Sequence, residues 1–291
     1  MNHKNDFHMH STYSDGTLTV SQLFEVLNDI GVDYFSITDH DTIGSCKELS
    51  QLNGNKGAIG IPGIEITTHY QGKILHLLAY GFDSGNSEFL QFLDQQRFAR
   101  RERAVNIVAM LNQDLENEGK IPIPIDEILK LEIEGPITRP DIANYLINIG
   151  YAVSFQEAFD KWLKKYDLPL VTSDITKSIE IVREIGGVAV LAHAFAPRVS
   201  LQAITQDTTR QVEILLELKK AGLQGLEIYF SNYEKDTNGR ISNNINKADG
   251  LNLLVTGGSD FHGGGKTNST LPGILIPHHR VQKFLDEVYK K

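Results

Sequence analysis

Six of the ten histidines in this 291-residue chain fall in or at the ends of short apolar runs, beside Gly, Asp or Glu, and this placement constrains the fold more than any other feature. The runs cover residues 7–10, 34–38, 59–66, 74–80, 188–192, 226–230 and 253–256, with a last one at 274–276. They read as about seven or eight strands. Helical patterns lie between them, so the chain is expected to be built from βα units around a parallel sheet or barrel. In barrels the strand C-termini face the active site, and polar residues recurring there are better site candidates than those scattered over helices. The first helix is expected to be capped by Thr19 or Ser21, with Leu23, Phe24, Leu27 and Ile30 at helical spacing and Gly31 just past its end.

The stretch between Tyr80 and Val188 is too long for one crossover. It reads as helices over residues 88–116, 126–131, 140–149 and 155–164, with Pro140 in a first turn. A helical insertion on the α/β body is the expectation.

His8 and His10 are one residue apart in a strand, so both imidazoles leave the same face, the geometry for a shared cation. Asp15 follows in Ser14-Asp15-Gly16, and His40 ends the second run in Thr38-Asp39-His40-Asp41. Glu65 lies in Gly63-Ile64-Glu65-Ile66, His76 in Ile74-Leu75-His76-Leu77, and His193 directly follows the run ending at Ala192. In Gly257-Gly258-Ser259-Asp260-Phe261-His262-Gly263 a carboxylate and an imidazole again stand two apart. A single strand histidine is more often a hydrogen-bonded core residue. Six of them with three carboxylates, desolvated together and without a cation, would be costly. Two or three divalent ions are expected, and mixed imidazole and carboxylate ligation suits manganese, iron or zinc. His3, His69, His278 and His279 are expected at the surface.

The formal charge of -9 disfavours a broad non-specific nucleic-acid binder. Bound divalent cations would offset several acidic charges, so a phosphate substrate is compatible with it. The one cysteine, Cys46, excludes an intramolecular disulfide and reads as a small buried hydrophobe. With no apolar signal region and no long apolar stretch, a cytoplasmic enzyme without membrane attachment is the expected placement.

His8-Met9-His10-Ser11 with Asp15-Gly16, Thr38-Asp39-His40-Asp41, Gly63-Ile64-Glu65, Leu191-Ala192-His193 and Gly258-Ser259-Asp260-Phe261-His262 together resemble the motifs of the PHP (polymerase and histidinol phosphatase) superfamily. The resemblance spans nearly the whole chain and implies a distorted (β/α)7 barrel. Residues 1–85 and 170–291 would form this metal-binding barrel, and 86–169 the helical insertion contributing to the substrate pocket. The resemblance further implies that His8, His10, Glu65 and Asp260 hold one metal. Glu65 would bridge to a second bound by His76 and His193, while Asp15, His40 and His262 would hold a third.

Within the superfamily, the insertion resembles the branch of nucleoside 3',5'-bisphosphate phosphatases and a 5'-to-3' exoribonuclease, through residues 97–103, Thr138-Arg139-Pro140 and Trp162-Leu163-Lys164-Lys165. Guanidinium groups donate in a planar fork that suits phosphate oxygens, and a helix start adds its dipole. Arg97, Arg101, Arg139 and Lys164 are therefore the substrate-binding candidates, joined by Arg198 just past His193. Arg100 and Arg103 read as a solvated helix face, and Trp162 and Tyr166 as core. Asp141 stands where that branch commonly has histidine, and Ala194 where it commonly has proline. An acid beside a phosphate pocket weakens anion binding unless it pairs with a neighbouring arginine.

The expected activity is hydrolysis of phosphate monoesters of nucleotides or short single-stranded oligonucleotides, by in-line attack of a metal-bound hydroxide. His193 or His262, with Asp15, are the expected catalytic groups. The rivals are a histidinol-phosphate-type small-molecule phosphatase and a non-catalytic accessory domain. A hydrolase of C–N bonds suits the sequence less, because no lysine ends a predicted strand.

Overall fold

The computed structural model describes residues 4–52, 57–133, 135–166, 168–230, 239–263 and 272–290. His3 lies outside them. The chain divides into two compact units, Met1–Leu90 with Ser173–Lys291, and Gln91–Thr172.

The strands are β1 (Lys4–Asp6), β2 (Val32–Phe35), β3 (Ile59–Gly60), β4 (Gly63–Tyr70), β5 (Lys73–Tyr80), β6 (Ser173–Asp174), β7 (Val188–Leu191), β8 (Gly225–Tyr229), β9 (Leu254–Gly257) and β10 (Ile274–Leu275), all in the first unit. They form a four-stranded sheet in the order β10-β1-β2-β3 and a six-stranded sheet in the order β6-β4-β5-β7-β8-β9. Isolated parallel bridges join Met9 to Phe261 and His40 to Glu65.

The sheets are mixed rather than parallel. β4 and β5 form an antiparallel hairpin through Gln71 and Gly72, both at positive φ (49° and 76°), because a two-residue turn can join only antiparallel strands. β5 then pairs antiparallel with β7, while β7, β8 and β9 run parallel. The predicted run 59–66 splits at Pro62, which has no N–H to give a ladder. The predicted strand 7–10 begins earlier, at Lys4, and after Asp6 the chain changes partner: Phe7 N–H donates to Gly257 O at 3.2 Å.

The helices of this unit cover the sheets. The first of them are α1 (Val20–Asp29), α2 (Gly44–Leu52) and the start of α3 (Ser87–Asn117), whose remainder lies in the second unit. In α1, Thr19 caps the end through a reciprocal box with Gln22, and Leu23, Phe24 and Leu27 pack on Met9, Phe35 and Phe261. β7 is buried along its length, as expected for a strand covered on both faces.

In the second unit α3 is followed by α4 (Ile125–Leu129), a 3-10 turn, α5 (Arg139–Asn148) and α6 (Phe155–Glu157), which continues as a π turn over Ala158–Leu163. This unit has its own core of Ile107, Leu111, Ile142, Leu146 and Leu163 around Trp162, whose indole N–H donates to Tyr151 O at 2.8 Å. α7 (Ile175–Glu184), α8 (Leu201–Ile204), α9 (Thr208–Lys220), α10 (Arg240–Gly250) and α11 (His278–Val288) return to the first unit. His278 and His279 are exposed at the start of α11, whereas His69, expected in a surface turn, is half-buried within β4.

Candidate metal centre

Parallel pairing of two segments beyond β1 and β9 builds the first part of the site. His10 N–H donates to Phe261 O at 2.9 Å and Asp260 N–H to His8 O at 2.9 Å. The approach is close enough that a Cβ at Gly258 would stand 2.2 Å from the His8 Cβ, so only glycine fits there. A similar bridge aligns His40 with Glu65: Glu65 N–H donates to Asp39 O at 3.2 Å and Asp41 N–H to Glu65 O at 2.9 Å. Asp41, His193 and Asp260 all hold left-handed backbone, with φ of 51°, 31° and 52°. Such non-glycine residues cost energy and persist only where their surroundings over-determine them.

His8 Nε2 lies 3.3 Å from His10 Nε2, 3.3 Å from Glu65 Oε2 and 3.4 Å from Asp260 Oδ1. His10 Nε2 lies 3.3 Å from Glu65 Oε2 and 3.2 Å from Asp260 Oδ1. Separations of this size are those between donors sharing one cation: in a tetrahedral site, bonds of about 2.0–2.1 Å give edges of roughly 3.3 Å. On the other side of the same carboxylate, Glu65 Oε1 lies 2.9 Å from His76 Nδ1 and 3.3 Å from His193 Nε2, and those two nitrogens are 3.3 Å apart. His10, Asp15, His40 and His262 form a further group able to hold an ion, and His40 also groups with Glu65 and His76.

The chemistry of these donors fits divalent cations. Two imidazole nitrogens at 3.3 Å conflict when both carry lone pairs or both carry protons, and a single shared proton or an ion between them removes the conflict. Glu65 Oε2 and His40 Nδ1, 3.0 Å apart, are fully buried without hydrogen-bond partners, which buried polar atoms rarely lack. Burial opposes charge on both His8 and His10, but Glu227, Glu65 and Asp260 raise His8 well above the usual imidazole range. Asp260, Glu65 and Asp15 raise His10 to about 10. Burial likewise opposes ionisation of Glu65, and His76, His40 and His8 hold it well below the usual carboxylate range. Charge of one sign is thus matched locally by its opposite, as buried ionic groups require.

All nine residues expected as ligands lie in these contacts, eight of them wholly or largely buried and Asp260 half-exposed with Oδ1 turned onto His8 and His10. The sequence reading missed three carboxylates behind them. Asp6 accepts from the N–H groups of His8, Ser259 and Gly273. Asp39 accepts from Ser11 N–H and from the Ser11 and Ser14 hydroxyls, each at 2.7 Å. Glu227 contacts His8 Nδ1 and the His193 N–H. Its signal was an acid amid the apolar run 226–230.

The substrate-binding candidates of the second unit have local partners. Arg97 bonds Glu132 through Nε at 3.0 Å and its carbonyl through Nη2 at 2.7 Å, and Arg101 reaches the same carboxylate at 3.7 Å. Arg139 Nη2 donates to Leu163 O at 3.0 Å, its guanidinium lying over the Phe159 ring. Lys164 is exposed near Asp160, and Arg198, in the first unit, is exposed. Arg100 and Arg103 are not a solvated face: Arg100 is 8 % exposed, Arg103 Nε donates to Leu168 O at 2.7 Å, and both line a small pocket with Arg139. Asp141 closes a capping box, accepting from Thr138 N–H at 2.7 Å, so this acid serves the helix end.

Among the described residues no helix is long and apolar enough to cross a membrane. No family model matches the chain. It is 29 % identical over 265 residues to a 5'-3' exoribonuclease of Haemophilus influenzae, covering 90 % of this chain and 91 % of that protein. To a 3',5'-nucleoside bisphosphate phosphatase of Chromobacterium violaceum it is 24 % identical over 264 residues, covering 90 % and 88 %. A crystal structure from Bifidobacterium adolescentis, described as a metal-dependent phosphoesterase, superposes with a TM-score of 0.82 at 30 % identity, covering 97 % of this chain and 96 % of that one. Similarity to that structure over nearly the full length of both chains, together with the histidine and carboxylate clusters, places the chain among the PHP-like metal-dependent phosphoesterases.

Proposed function

We propose that this phosphoesterase hydrolyses phosphate monoesters of nucleotides or short oligonucleotides, with two or three divalent cations held by His8, His10, Asp15, His40, Glu65, His76, His193, Asp260 and His262. The observation that carries the reading is the bifacial use of Glu65: Oε2 faces His8, His10 and His40, and Oε1 faces His76 and His193. A carboxylate so used sets two cation positions side by side, the arrangement that clamps the attacking and leaving oxygens of an in-line displacement. The bridges Met9–Phe261 and His40–Glu65, one toward each edge of the small sheet, support the distorted barrel of the family.

Bound cations would supply Lewis acidity to the phosphoryl oxygens and an acidified water. The chain's own residues do the rest. His262 keeps one ring nitrogen on the Asp260 carbonyl and turns the other to Asp15, so with only two ions bound and this third position unfilled the pair can hold a proton for the leaving oxygen. His193 is the second candidate for that role. Arg97, Arg101, Arg139, Lys164 and Arg198 are proposed to bind the substrate's phosphates. The nucleotide class is supported by the names of the exoribonuclease and bisphosphate phosphatase relatives. Manganese, iron and zinc all suit this donor set.

The test is phosphate release by the manganese-loaded protein from a nucleoside 3',5'-bisphosphate, a 5'-phosphorylated short RNA and histidinol phosphate, each against His8→Ala. Turnover of the first two, lost in the variant, is expected. Turnover of histidinol phosphate alone would overturn the nucleotide assignment and leave the metal centre standing.

A further inference from the structure

Glu227 belongs to none of the donor groups, yet it touches two of them. It lies in β8 between Leu226 and Ile228 and is 5 % exposed. Its Oε2 stands 3.0 Å from His8 Nδ1 and accepts the His193 backbone N–H at 2.6 Å; Oε1 stands 3.1 Å from the same His8 nitrogen. A buried carboxylate is costly unless its oxygens are matched, and here both are.

Each contact has a consequence for a donor. In the neutral, ligating form of His8, a carboxylate at Nδ1 keeps the ring proton there and leaves the Nε2 lone pair facing His10 Nε2, Glu65 Oε2 and Asp260 Oδ1. The contact to His193 holds the N–H of a residue at φ 31°, a conformation that needs such a tether. His193 Nε2 in turn faces Glu65 Oε1 and His76 Nδ1.

We propose that Glu227 is a positioning residue, which fixes the tautomer of His8 and pins the backbone of His193 so that one carboxylate sets both cation positions flanking Glu65. This rests on the ligand assignment proposed above. Glu227→Gln keeps the volume but cannot serve all three contacts. With its oxygen in the place of Oε2, the amide nitrogen faces the His8 Nδ1 proton; reversed, it faces the His193 N–H.

The experiment is calorimetric titration of manganese into the metal-free 291-residue protein, with Glu227→Gln, Glu227→Ala and His8→Ala compared by circular dichroism for folding. Tautomers are read from long-range ¹H–¹⁵N spectra of zinc-loaded, histidine-labelled protein. Manganese affinity is expected to fall about 10–100-fold in Glu227→Ala and less in Glu227→Gln. The His8 signals should report Nδ1–H in the parent and shift in Glu227→Gln. Parent-like affinity and an unshifted His8 in Glu227→Gln would overturn the positioning role while a lost ion in His8→Ala upheld the ligand assignment. Should His8→Ala itself bind the full complement of ions, the ligand assignment falls, and the proposal with it.

Discussion

His262 meets Asp15 through Nε2, 3.3 Å from Oδ1, while Nδ1 of the same ring stands 2.9 Å from the Asp260 carbonyl. A carbonyl only accepts, so the proton of the neutral ring sits on Nδ1 and a lone pair faces a carboxylate. Two acceptors held at this distance call for a proton or a cation between them. Asp15→Asn is therefore expected to bind one divalent ion fewer per chain than the parent and to lose at least about 100-fold in turnover. Elemental analysis after desalting counts the ions, and an unchanged count would remove Asp15 from the ligand set.

Chelation should destabilise the first unit. Ions that bind only the folded chain stabilise it by about 2.7 kcal/mol at a hundred times their dissociation constant. For a protein of this size that shifts the unfolding midpoint upward by several degrees, on the order of 2–4 °C per kcal/mol. Differential scanning fluorimetry with and without EDTA, and with manganese restored, measures it. An unchanged midpoint would count against cation binding by the native state.

Trp162 is the chain's one tryptophan and is 1 % exposed in the core of the second unit. Trp162→Ala should cost about 3–5 kcal/mol through the cavity it leaves. Thr138→Ala, which opens the capping box with Asp141 at the head of α5, should cost about 1 kcal/mol. Urea titration followed by circular dichroism gives both values. Equal costs for the two would mean that the indole is not packed as described.

The ligands were legible because they carry a local signature: His8 and His10 repeat every second residue, and so do Asp260 and His262, which is the strand period that puts side chains on one face. The capped start of α1 and the helices around Trp162 were equally local. What the sequence hid depends on pairing. Nothing in residues 63–80 distinguishes an antiparallel hairpin from two buried parallel strands except the Gln71-Gly72 turn. The same holds for Glu227, whose partners lie 219 and 34 residues away. The burial of Arg100 also follows from tertiary packing, since on an arginine-rich helix the inward-facing one is not marked by its identity.

Cys46 makes the last test, of how tightly α2 is packed on the strands. It is buried, and its thiol lies 3.5 Å from the Gly63 carbonyl. Burial pushes the thiol up to about 12, against a weaker opposing effect of that hydrogen bond. The thiolate is the reactive form, so at pH 8 only roughly one molecule in ten thousand would carry it, compared with about a quarter for a free cysteine. Ellman's reagent should therefore leave the folded protein untouched and titrate one thiol per chain after denaturation. Because the shift lies far above neutrality, raising the pH from 7 to 9 should not bring the reaction within reach. Rapid labelling of the native protein would mean that α2 opens readily, and with it the turn from His40 through Asp41 that carries a donor into the centre.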